Sequence, residues 1–93
     1  MAEAHSRKLA GMRRAAIVSP LRTPVGANGG GLRAVPVEEP GAIVARAIVQ
    51  RTGLDPARIE NVFFARSYAS GDTPCTGRWV ALQAGFPIEV AGM

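Results

Sequence analysis

Cysteine, histidine and lysine occur once each, as Cys75, His5 and Lys8. A single cysteine excludes an internal disulfide framework and any zinc site built from cysteines alone. A single histidine closes off most metal constellations and most imidazole-based catalytic ones. Aromatic side chains are scarce: Phe63, Phe64, Tyr68, Trp79 and Phe86 are all there are. They do not alternate with arginines as base-stacking platforms would. No uninterrupted apolar run approaches the roughly 18 residues that span a bilayer. No repeat and no low-complexity block occurs.

What is present is a globular composition in 93 residues, with 47% hydrophobic and 19% charged side chains. That length allows one domain with one modest core, read as soluble and cytoplasmic, with neither a membrane nor a nucleic acid as partner. The formal charge of +4 raises the question of nucleic acid. Ten arginines against one lysine, alongside sixteen alanines, is the bias that GC-rich codons produce. Five basic residues cluster near the start (Arg7, Lys8, Arg13, Arg14, Arg22) and the others are scattered singly.

Residues 1–13 are polar and patternless, too short of apolar residues for a secretory signal, and read as a disordered or mis-started tail ahead of a domain over 14–93. Ala15-Ala16-Ile17-Val18, halted by Ser19-Pro20, reads as a buried first strand. Residues 22–32 carry four glycines (Gly26, Gly29, Gly30, Gly31) but neither Gly-Lys-Ser/Thr nor a spaced G-x-G-x-x-G. They read as a loop using glycine for its backbone freedom, not as a phosphate cradle.

A helix is expected over 38–52. Val37, Val44 and Ile48 share one face, and Glu39, Arg46 and Gln50 another. Pro40 falls in the first turn and Gly53 supplies the stop. Asp55-Pro56 reads as a capped helical turn. Asn61–Arg66 reads as a second strand, apolar on both faces and so central; Ser70–Pro74 reads as a loop. A second helix follows over about 76–84, with Trp79, Leu82 and Phe86 as its packed stripe, ended by Gly85 and Pro87. Ile88–Met93 begins a further element. Strand, helix, strand, helix is the opening of a parallel α/β sheet, and two such strands cannot cover a sheet apolar on both faces. Marginal stability follows.

Arg22-Thr23-Pro24-Val25-Gly26 after a short strand resembles the R-T-P-x-G loop of the thiolases, the acetyl-CoA acetyltransferase family. The helix ending at Gly53-Leu54, the Asp55-Pro56 turn and the strand Val62–Ala65 follow in that family's order. Gly77–Pro87 resembles its second helix with the A-G-x-P exit. The resemblance covers 14–93 and implies an incomplete thiolase-like N-terminal half-domain, a strand-helix-strand-helix opening of a mixed or parallel sheet. Pro40 stands where relatives have leucine in E-x-L-G, which predicts a shortened or shifted first helix. Cys75 and Gly77 stand where many relatives read N-P-A-R, leaving only Arg78.

The resemblance implies acyl transfer between coenzyme A and a cysteine thiolate, with acyl-CoA as substrate, other thiolase subunits as partners and fatty-acid or acetoacetyl-CoA metabolism as setting. The family's C-G-S-G nucleophile would lie about one strand further on than Met93. Its G-H-P histidine, N-E-A-F asparagine and C-x-G cysteine lie later still. No catalytic, cofactor-binding or metal-binding residue is therefore assigned to this chain. Cys75 follows a proline and precedes a helix, but no histidine partners it and its position differs from the nucleophile's; it reads as a small junction residue. Arg22 and Arg78 read as loop-bracing, Trp79 as core, and Glu38-Glu39 as complements to a helix dipole. The expectation is the N-terminal portion of a thiolase-type acyltransferase, inactive alone. The alternative is a non-catalytic remnant or regulatory fragment that associates with full-length thiolase subunits.

Overall fold

The computed structural model describes residues 11–68 and 71–93. The reading of residues 1–13 as a tail, with His5 in it, falls largely outside those residues, as does Ser70.

Helix α1 runs from Glu38 to Thr52. Its two glutamates occupy the first turn, where exposed amides favour negative charge. Pro40 sits in that same turn, where its missing N–H costs no intrahelical bond, so the helix is not shortened. Gly53 ends it at φ +68°, donating its N–H to the Val49 carbonyl at 3.0 Å. A single 3-10 turn, Pro56–Arg58, follows. Asp55 caps it by accepting from the Ala57 N–H at 3.1 Å.

Strand β1 is Asn61–Val62 and pairs in parallel with β2, Ala91–Gly92, in the register Asn61 with Ala91 and Val62 with Gly92. The pairing extends one step further, with the Phe64 N–H donating to Met93 O and the Met93 N–H to Val62 O, each at 2.9 Å. Between the strands runs helix α2, Thr76–Gln83. The Phe86 N–H reaches back to the Ala81 carbonyl at 3.1 Å while Gly85 sits at φ +80°. This closure satisfies the last carbonyls of α2 and buries Phe86 beneath its end. Arg46 of α1 donates to the Gln83 carbonyl at 2.8 Å, tying the two helices together.

The core is small: Ala81, Phe86 and Val90, flanked by Ala45, Val49, Ile59, Val62 and Ala84. Val80 and Ala42 are the other buried apolar side chains. Its tightest contact is backbone to backbone. A Cβ on Gly77 would overlap the Met93 main chain, and one on Gly92 would overlap that of Gly77 and Arg78. Only glycine at both positions lets the first turn of α2 lie on β2.

Of the expected stripe on α2, Phe86 joins the core and the other two members are corrected by that contact. Trp79 and Leu82 remain 41% and 47% exposed, while Thr76, Gly77, Val80 and Ala81 are buried. A helix approaches most closely on the face that carries glycine, and the two larger side chains lie off that face.

Two further expectations are corrected. Residues 15–18 form no strand: Ile17 is 98% exposed and Val18 67%. Among the described residues no strand pairs with them, although Val18 lines an open cleft of about 490 Å³ with Ile48 and Thr52 of α1 and with Asp55, so their backbone has no ladder to join. Ser19, just after, is held at φ +50°, a region that costs a non-glycine residue about 1–2 kcal/mol. The segment 61–66 is not buried on both faces either. Val62, Phe64 and Arg66 are half-buried while Asn61, Phe63 and Ala65 are exposed, the period-two pattern of a strand covered on one side. Both helices serve the Val62–Phe64 face, and nothing among the described residues covers Phe63.

The glycine loop behaves as expected. The Gly30 N–H bonds Ala27 O at 2.9 Å and the Arg33 N–H bonds Gly30 O at 3.1 Å, so these groups close turns. Gly29 takes φ +74°.

Candidate functional site

Cys75 is the N-terminal flanking residue of α2 and is exposed. Its thiol donates to the Gly92 carbonyl at 3.4 Å, because the close glycine contact draws the end of β2 past the start of the helix. It lines an open cleft of about 250 Å³ with Phe64, Arg66, Pro74, Thr76 and Met93. The basic group in that cleft is a guanidinium, which does not take up a proton from a thiol. The only histidine of the chain, His5, lies outside the described residues.

Arg66 is spent on structure. Its Nη1 donates to Thr73 Oγ1 at 3.2 Å and to Thr76 Oγ1 at 3.1 Å, and both threonines are buried. The Thr76 hydroxyl in turn donates to the Thr73 carbonyl at 3.3 Å. This cluster clamps the loop before α2 onto the end of β1. Sequence reasoning passed over it, although threonines three apart at a helix start are a signal for such a clamp.

The other singled-out residues do not converge. Arg78 donates to the Val90 carbonyl, so the bracing role holds. Arg22 reaches only its neighbour's carbonyl, Thr23 O, at 3.5 Å, the outer limit of a hydrogen bond. Its main surroundings are an apolar groove of about 540 Å³ between α1 and β1, lined by Pro40, Val44, Ile48, Phe63 and Phe64 among others. Trp79 shares a cleft of about 270 Å³ with Glu38, Glu39 and Arg46 instead of joining the core. Among the described residues no group of three or more His, Cys, Asp or Glu is placed to hold a metal ion, and no helix is long and apolar enough to cross a membrane.

Two helices packed on a parallel pair of strands, with glycines at the helix–strand crossing, define a class: a small α/β layer. Residues 15–93 match the family described as "Thiolase, N-terminal domain", and the chain belongs to the thiolase family. It is 36% identical over 77 residues to an acetyl-CoA acetyltransferase of Cupriavidus necator, covering 83% of this chain and 20% of that protein. It is 38% identical over 81 residues to a beta-ketoadipyl-CoA thiolase of Acinetobacter baylyi, covering 85% and 20%. The crystal structure of the Bacillus anthracis acetyl-CoA acetyltransferase matches with a TM-score of 0.73 at 35% identity, over 77% of this chain and 18% of that one. The chain thus spans about a fifth of the length of the relatives it matches.

Proposed function

We infer that this chain is the N-terminal scaffold portion of a thiolase-type acyltransferase, one that moves an acyl group between coenzyme A and an enzyme thiolate and makes or breaks a carbon–carbon bond. The observation that carries this is the match of residues 15–93 to the family's N-terminal domain, accompanied by a fold that overlays an acetyl-CoA acetyltransferase. The 93 residues themselves supply no nucleophile. Cys75 directs its thiol at a main-chain carbonyl and has a guanidinium for a neighbour, whereas the chemistry requires a thiolate and a base that can take and return a proton. Acyl-CoA is the substrate of the whole enzyme, other thiolase subunits its partners, and the cytoplasm its setting, in fatty-acid or acetoacetyl-CoA metabolism; no cofactor is bound by this portion, and neither nucleic acid nor membrane is a partner.

The test is the intact mass of the native product, captured with an antibody raised against residues 14–93. A species several-fold heavier than 9.7 kDa is expected. A species at 9.7 kDa would favour the alternative, a non-catalytic remnant that associates with full-length thiolase subunits. Under either, the purified 93-residue chain shows no thiolysis of acetoacetyl-CoA above background. Turnover, whether or not it survives Cys75→Ala, would overturn the assignment of a scaffold role.

A further inference from the structure

We draw no further inference here: the strongest candidate, the cleft of about 270 Å³ between α1 and α2 where the exposed Trp79 stands beside Glu38, Glu39 and Arg46, is an acidic pair at a helix start with no second feature that points to a ligand, and nothing in the structure shows what covers it.

Discussion

The start of α2 and the segment 11–20 are the extremes of this molecule. At the first, Gly77 and Gly92 bring a helix and a strand into main-chain contact, and the side chains around them, Thr73, Thr76, Val80, Ala81 and Val90, are all buried. At the second, an equally apolar sequence, Ala15-Ala16-Ile17-Val18, is exposed throughout. Composition does not separate the two. What separates them is whether another element lies close enough for burial to outweigh the ordering of the backbone, which costs roughly 1–2 kcal/mol per residue.

The sharpest way to break the dense region is Gly77→Val. Its side chain has no room against the Met93 main chain, and the helix must move off the strand. A loss of about 3 kcal/mol or more is expected, enough to abolish a cooperative urea transition in so small a core. A transition kept within about 1 kcal/mol of the parent would show that the helix and strand are not in contact. Next is Val80→Ala, which opens a cavity under a side chain that is 1% exposed. Destabilisation of about 2 kcal/mol is expected in the same titration. The smallest effect belongs to Ile17→Ser. At 98% exposure it should shift stability by less than about 0.5 kcal/mol. A shift as large as that for Val80→Ala would mean that residues 15–18 are packed against the rest of the chain, and the contrast between the regions would collapse.

Legibility in the sequence followed the range of the interaction concerned. Helix α1 and its stop at Gly53, the Asp55-Pro56 cap and the Gly85 exit of α2 are local devices, each decided within four or five residues of chain, and each was readable. Of the stripe on α2, Phe86 was readable as core and the burial of Trp79 and Leu82 was not borne out. Trp79, Leu82 and Phe86 have helical spacing, but so do Gly77, Val80 and Ala81, and hydrophobicity alone prefers the larger set. The choice was made by the Gly77–Gly92 approach, a contact between residues 15 positions apart that no periodicity encodes. The same holds for the one-sided burial of Val62 and Phe64. An apolar run reads as central, whereas its exposure depends on which neighbours the sheet acquires.

The candidate site divides in the same way. That Cys75 lacks a histidine partner is a matter of composition. That its thiol is turned to the Gly92 carbonyl, and that Arg66 is consumed by Thr73 and Thr76, required the folded chain. By itself, the sequence determined the family, the helix boundaries and the turns, because the motif order and the capping residues act over short stretches of chain. Tertiary structure alone decided which face of α2 is buried and that, among the described residues, 15–18 join no strand, because burial and pairing are properties of pairs of elements and not of either one.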